Sequence, residues 1–590
     1  MTTLRTLADW RRAAEGGADV RALLRERLAA IRAVRTRGVW IHLASDDELD
    51  AQLARLDPAA PLFGVPFAVK DNIDIAGVPT TAGCPAFART PCLHAAVVRK
   101  LTDAGAVWLG KTNLDQFATG LVGTRSPYGR PACVDDETRI SGGSSSGSAI
   151  AVARGEVAFA LGTDTAGSGR VPAGFNSLVG MKPTPGRVGT TGVLPACRTL
   201  DCVSVFAHDV AAAAEVLSIV EGDDRSDAYS EFVLGPAWPP GRLRIGLPIA
   251  PVFFGDAGYE HMWKQATERL HAIGAEPVPV DFEPLHETAK LLYGGPWVAE
   301  RHAVVQDLLD ADPAALDPTV RQVIEGARSF SATDTFRAQY QLRDAQQRHA
   351  ALWQSVDALM VPTAPGHPRF DEVDADPLGV NARLGHYTNF VNLLGWCALA
   401  LPAGRTPAGL PFGVTFIQSG AHDATLARIG LRWEQGRPDP VPPSTAWPAS
   451  TPLLPLVVVG AHLSGLPLNH HLVERGARLR CATTTAPHYR LYALPDSVPP
   501  KPGLFRAAEA GAAIAVEVWE MPQSEVGSFL AGVAAPLGLG SIELAGGDRV
   551  HGFICEAHAL EGAVDITASG GWRAHLAFAK ENSSTPTMPI

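Results

Sequence analysis

Two hydrophobic periods alternate along the first 440 residues. In 19–35 (DVRALLRERLAAIRAVR), Val20, Leu23, Leu24, Leu28, Ile31 and Val34 recur at helical spacing behind Asp19, whose carboxylate suits an N-cap. This predicts an amphipathic helix with a basic outer face. From about residue 62 short apolar runs take over, separated by Ala-rich helical stretches. They include FGVPFAV (63–69), AVWLG (106–110), VAFALG (157–162), RIGLPI (244–249), DALMVPT (357–363) and FGVTFIQ (412–418). Apolar runs with helices between them predict an α/β domain built on a buried, mostly parallel or mixed sheet covered by helices.

The pattern breaks at 437–455, RPDPVPPSTAWPASTPLLP, where seven prolines forbid both a helix and an interior strand. Beyond it LPLVVVGAH (454–462), AAIAVEVWE (512–520) and HGFICEAHAL (551–560) read as strands of a small α+β domain. The expected organisation is a large domain over 1–440, a Pro-rich linker over 441–454, a small domain over 455–580 and a polar tail over 581–590.

Composition narrows the function. The chain of 590 residues is 46% apolar, far above what a disordered protein carries. A net charge of −11, with no basic run or aromatic-interleaved Lys/Arg patch, argues against a nucleic-acid partner, which needs a concentrated basic face. The N-terminus MTTLRTLADWRRAAEGG lacks the apolar core of a signal peptide, and no run of 18 uncharged apolar residues predicts a membrane span. The eight cysteines are scattered, with no CxxC pair for zinc, so the expectation is a cytoplasmic protein with reduced thiols and no metal. The 58 Gly and 47 Pro exceed the usual share and gather in a few clusters.

The densest cluster spans 140–189. Gly142 and Gly147 have the spacing of a phosphate-binding loop, but Ser148-Ala149 stand where Lys-Ser/Thr is required, which excludes that reading. A Gly-rich turn entering a packed helix explains the glycines. It does not explain the serines around them or the second cluster, TDTAGSGR.

These residues resemble the amidase signature family. GGSSSGSA is followed by TAGSGR, with Ser168 at a spacing of 24 residues from Ser144, and GVPFAVKDN precedes both. The similarity continues through GKTNLDQFA (110–118), GMKPTPGRV (180–188), DALMVPTAP (357–365) and ALALPAG…GLPFGVTFIQ (398–418), covering most of 1–440. One departure is Ser146, where the family usually has glycine. The resemblance implies amide hydrolysis by a Ser-Ser-Lys triad without a cofactor. Ser168 would be the nucleophile, Ser144, on a cis peptide, the relay, and Lys70 the base. The N–H groups of Thr165, Ala166, Gly167 and Ser168 would form the oxyanion hole, while Asp164 and Arg170 would pair to brace the turn. A serine hydroxyl needs a base to take its proton, and no histidine lies near in sequence. Bringing Lys70 from about 10.4 to about 7 costs roughly 4 to 5 kcal/mol, and burial behind FGVPFAV is the obvious source.

Within the family, DQFATGLVGTRSPYG (115–129) and the small C-terminal domain resemble the allophanate hydrolases. The resemblance implies a small anionic substrate gripped by Tyr293 and Arg301 of LLYGGPWVAER, eight residues or roughly two helical turns apart, with Gly120 lining the pocket through its backbone. It also implies that the first domain releases ammonia from allophanate, leaving N-carboxycarbamate. The second domain resembles the γ-glutamylcyclotransferase fold and would assist decarboxylation. His462 is the candidate there, ahead of Glu517. His470, His471 and His488 lack metal-site spacing. Expected partners are the substrate and possible second copies of the chain, with a functional link to a urea carboxylase or to cyanuric acid and biuret breakdown. The alternative is a broader amidase whose C-terminal domain is a binding or assembly module.

Overall fold

The computed structural model describes residues 4–34, 36–236, 243–438, 453–475, 477–495 and 497–583. The chain forms two compact units, Met1–Ala449 and Ser450–Ile590. The expected linker lies outside the described residues up to position 452, and so does 584–590 of the tail.

The first unit is built on eleven strands: β1 (Trp40–Leu43), β2 (Pro66–Lys70), β3 (Val107–Thr112), β4 (Phe159–Asp164), β5 (Val179–Lys182), β6 (Cys202–Ala207), β7 (Leu243–Pro248), β8 (Ala275–Val280), β9 (Ala358–Pro362), β10 (Cys397–Arg405) and β11 (Pro411–Gln418). They form one sheet in the order β1-β3-β2-β4-β6-β5-β10-β11-β9-β7-β8. All six quoted apolar runs contribute strands. The sheet is mixed. β2 is parallel to β3 and β4, and β7 to β8 and β9, but β4-β6-β5-β10-β11-β9 pair antiparallel. β2 to β6, β9 and β11 are buried at every position, as a strand covered on both faces must be.

The expected first helix runs Val20–Val34, buries Val20, Leu24, Leu28 and Ile31, and is capped by Asp19 Oδ1, which accepts from Ala22 N–H at 3.1 Å. The helix Ser146–Ala153 is buried on every side and packs on β2, β3, β4 and β6. Its small side chains (Ser, Gly, Ala) allow that. Gly147 lies so close to the neighbouring chain that a Cβ would fall 2.3 Å from Val39 O.

In the second unit β12 (Leu453–Val458), β13 (Arg478–Thr484), β16 (Ala515–Pro522), β17 (Leu537–Glu543) and β18 (Arg549–Cys555) form a five-stranded sheet in the order β13-β16-β12-β18-β17. The strands β14 (Tyr489–Ala493), β15 (Pro502–Arg506) and β19 (Val564–Asp565) form a three-stranded one. Its own core holds Leu456, Val457, Tyr489, Leu491, Trp519 and Met521. Among the described residues no helix is long and apolar enough to cross a membrane.

Candidate active site

Strand direction assembles the site. β2 and β4 are parallel neighbours, with Phe67–Val69 opposite Phe159–Leu161, so both end at the same edge of the sheet. Lys70 closes β2, and Thr163 and Asp164 close β4. The turn that follows carries Ser168. β6 runs antiparallel to β4, so the loop leading into it, 196–201, returns to the same edge. Ser144 stands just before the helix Ser146–Ala153, and its peptide bond to Gly143 is cis.

A row of side chains links these elements. Lys70 Nζ lies 2.8 Å from Ser144 Oγ and 2.7 Å from Thr163 Oγ1. Ser144 Oγ lies 3.0 Å from Ser168 Oγ, which is 3.4 Å from the carbonyl oxygen of Gly120. Lys70 and Ser144 are fully buried and Ser168 is 3% exposed. Burial pushes the lysine amine down to about 7, against the opposing pull of Asp115, Asp201 and Asp164. Both hydrogen-bond partners of Lys70 are hydroxyls, so nothing within reach fixes its charge.

The turn after β4 is braced from inside. Arg170 Nε and Nη2 donate to the two oxygens of Asp164 at 2.8 and 2.9 Å, and Arg170 also reaches Thr388 O and Asn392 Oδ1. Asp164 accepts from Gly167 N–H at 2.9 Å and Gly169 N–H at 3.0 Å. This changes the expected oxyanion hole in one respect. The Gly167 N–H is already committed to Asp164, and glycine is required there because φ is +139° and a Cβ would meet Thr388. Thr165, Ala166 and Ser168 are the remaining amides on the turn. The Thr165 hydroxyl is held by Asp201, which also accepts from Ala196 N–H at 2.7 Å. Burial raises the Asp201 carboxyl to about 6.

Tyr293 and Arg301 do not share a helix, contrary to the expected two continuous turns. Tyr293 sits at the end of the helix Glu283–Gly294 and Arg301 near the start of Val298–Ala311. Gly295, extended after the first helix, and Pro296, which lacks an N–H, break the chain between them. The break folds the two side chains together. Arg301 Nη2 is 3.4 Å from Tyr293 Oη, and the guanidinium lies 5.1 Å from the ring centroid. Arg301 is 1% exposed, and its Nη1 donates to Cys197 Sγ at 2.7 Å. Among the described residues its Nε has no partner and no carboxylate pairs with it. Burial raises the Cys197 thiol to about 12, and the Tyr293 phenol also stands above its ordinary value, so both neighbours are neutral.

Gly120, with φ +154°, packs against Asp115, where a Cβ would fall 2.8 Å from Oδ2. Its neighbour Leu121 donates N–H to Asn381 Oδ1 at 2.8 Å. Asn381, Arg125 and Tyr293 line a cavity of about 700 Å³.

Comparison with known proteins accords with this geometry. The model of the family described as amidase matches residues 25–427. The chain belongs to the amidase family. A second model, the allophanate hydrolase C-terminal domain, matches 454–577. The chain is 44% identical to the urea amidolyase of Saccharomyces cerevisiae over 92% of its own length and 31% of that protein. It is 43% identical to the urea amidolyase of Lachancea kluyveri, over 93% of its own length and 32% of that protein. It thus spans about a third of the urea amidolyases it matches. The solved Kluyveromyces lactis allophanate hydrolase superposes with a TM-score of 0.76 at 41% identity, covering 97% of this chain and 99% of that one.

In the amidase unit, sequence reasoning missed the residues that support the row. Thr163 holds Lys70 from the far side, Asn72 Nδ2 donates to Leu194 O at 3.1 Å behind it, and Asp115 accepts Gly123 and Arg125 N–H at 2.9 Å each beside the Ser144 loop. Asp115 lies inside the quoted GKTNLDQFA stretch, and Thr163 immediately precedes Asp164. Their positions were legible, but not their partners.

The C-terminal candidates fare differently. His462 packs between Phe529 and Phe553, with ring centroids at 5.2 and 5.9 Å, and burial lowers its imidazole to about 4. Glu517 is enclosed. Its Oε2 accepts from Ser464 N–H and Oγ and from Trp519 Nε1, and its Oε1 pairs with Arg573 at 2.9 Å. Those donors hold the carboxyl below its ordinary value against burial. Among the described residues no group of three or more His, Cys, Asp or Glu could hold a metal ion.

Proposed function

We propose that this chain hydrolyses allophanate, the carboxylate of urea, to ammonia and N-carboxycarbamate in its amidase unit, and that the C-terminal unit promotes loss of carbon dioxide from that product. The observation that carries the reading is the buried Arg301 guanidinium. A buried cation without a carboxylate partner is costly, and an anionic substrate supplies the missing charge.

Ser168 Oγ attacks the terminal amide carbonyl and its proton passes through Ser144 to neutral Lys70. The amides of Thr165, Ala166 and Ser168 receive the oxyanion. Protonation of the leaving nitrogen from Lys70 through Ser144 releases ammonia, and water then attacks the acyl-enzyme. Arg301 grips the distal carboxylate with Tyr293 beside it, and Gly120 lets the substrate pass close to the backbone. In the second unit His462, neutral among aromatic rings, is our candidate for contact with N-carboxycarbamate, while Glu517 holds the adjoining turn. A urea-carboxylating activity, or cyanuric acid and biuret breakdown, would supply the substrate.

Ammonia release by the full chain tests this. Allophanate should be consumed far faster than the neutral amide propionamide. Equal rates on the two would replace the reading with a broad amidase.

A further inference from the structure

Arg301 is held in place by a thiol. Among the described residues its hydrogen-bonded side chains are Cys197 (Nη1 to Sγ, 2.7 Å) and Tyr293 (Nη2 to Oη, 3.4 Å), and both hold their protons. The two acids whose charge reaches Arg301, Asp201 and Glu300, are committed elsewhere. Asp201 accepts from the Thr165 hydroxyl and from the Ala196 and Cys197 amides. Glu300 accepts from Thr199 N–H at 3.0 Å and from the Thr199 hydroxyl. Cys197 is itself fully buried, and its backbone is pinned to Asp201, the same residue that grips Thr165 three positions before Ser168. The loop that holds the guanidinium is therefore tied to the turn that carries the nucleophile.

We propose that Cys197 is a positioning and specificity residue: it orients Arg301 while leaving the guanidinium charge unspent for the substrate's carboxylate. A carboxylate at this position would hold Arg301 as firmly, through a charge-assisted bond, but would occupy the charge that the anion needs. An alanine would leave the charge but remove the hold. The proposal rests on the allophanate reading, and it predicts opposite consequences for the two changes.

The test measures binding of malonamate, in which a methylene replaces the bridging nitrogen of allophanate, and of its neutral counterpart malonamide, by calorimetry on full-length Ser168→Ala protein. Cys197→Asp should weaken malonamate by about 30-fold or more while malonamide changes less than about threefold. Cys197→Ser should keep malonamate within about threefold, and Cys197→Ala should weaken it more than serine does. Equal malonamate affinity in the Asp variant and its parent overturns the proposal. If the Asp variant does not fold, the Ser and Ala pair decides, and no difference between them overturns it. A Ser168→Ala parent that binds malonamide but not malonamate would instead overturn the allophanate reading itself.

Discussion

Two of the buried polar clusters among the described residues, one in each unit, are wired in opposite ways. Around Glu517 both oxygens are occupied: Ser464 and Trp519 donate to Oε2, Arg573 pairs with Oε1, and the charges cancel. Around Ser168 the hydroxyls form an open row ending on an amine that burial lowers to about 7, and Arg301 keeps a free Nε and a charge that no carboxylate pairs with. A saturated cluster has nothing left to offer a ligand. An unsaturated one costs stability, which folding tolerates where a ligand completes it. The comparison separates reactive from bracing residues by what each side chain still lacks.

Mutations can break that comparison. The largest effect is expected from Ser168→Ala, which should reduce ammonia release by at least about 10⁴-fold with the circular dichroism spectrum unchanged. Lys70→Met should be nearly as inactive and more stable. The amine is lowered from 10.5 to about 7, so between those values the unfolded chain binds the extra proton. The cost to folding is therefore full below pH 7 and fades as pH rises towards 10.5. Removing the amine should stabilise the protein at pH 7 by roughly 2 kcal/mol after the lost hydrogen bonds are counted. Thermal denaturation at pH 7 and pH 10 checks this, since the gain should shrink at the higher pH. In the wild type kcat/KM should rise with pH through a midpoint near 7 as Lys70 loses its proton.

Arg301→Ala should raise KM for allophanate about 100-fold with a smaller change in kcat, as steady-state kinetics would show. Glu517→Ala should leave ammonia release unaltered and destabilise the C-terminal unit by about 1 to 3 kcal/mol, because Ser464 and Trp519 lose an acceptor. His462→Ala should likewise leave ammonia release unaltered and slow only the appearance of carbon dioxide. A loss of ammonia release in either C-terminal variant would erase the distinction drawn between the units.

The family resemblance named Lys70, Ser144 and Ser168, and short-range rules fit them to their local structure. An apolar run ending in Lys70 predicts a strand that buries the lysine, and Gly-Ser-Gly at 167–169 predicts a tight turn that exposes a backbone. Strands β1, β5, β6, β8 and β10 were not read as strands: β1 and β5 are four residues each, too short to show a period, and prolines interrupt β8 and β10. The committed Gly167 amide and the thiol beside Arg301 were invisible for other reasons. The first is a local bond, from Gly167 N–H back to Asp164 three residues earlier, that a motif match passes over; the second joins Cys197 to a residue 104 positions away, which only the fold brings together. The broken helix between Tyr293 and Arg301 was readable in Gly294-Gly295-Pro296, a stop signal that a count of helical turns passes over.

The row from Lys70 to Ser168 is made of hydroxyls on both sides of the amine, and a hydroxyl has no fixed polarity. Each can give its hydrogen to the left or to the right without moving an oxygen. Traffic towards the amine when the acyl-enzyme forms, and away from it when ammonia leaves, can share one track. Neither half of the cycle then asks a side chain to change rotamer, and the densely packed small residues around Ser144 need leave no room for one.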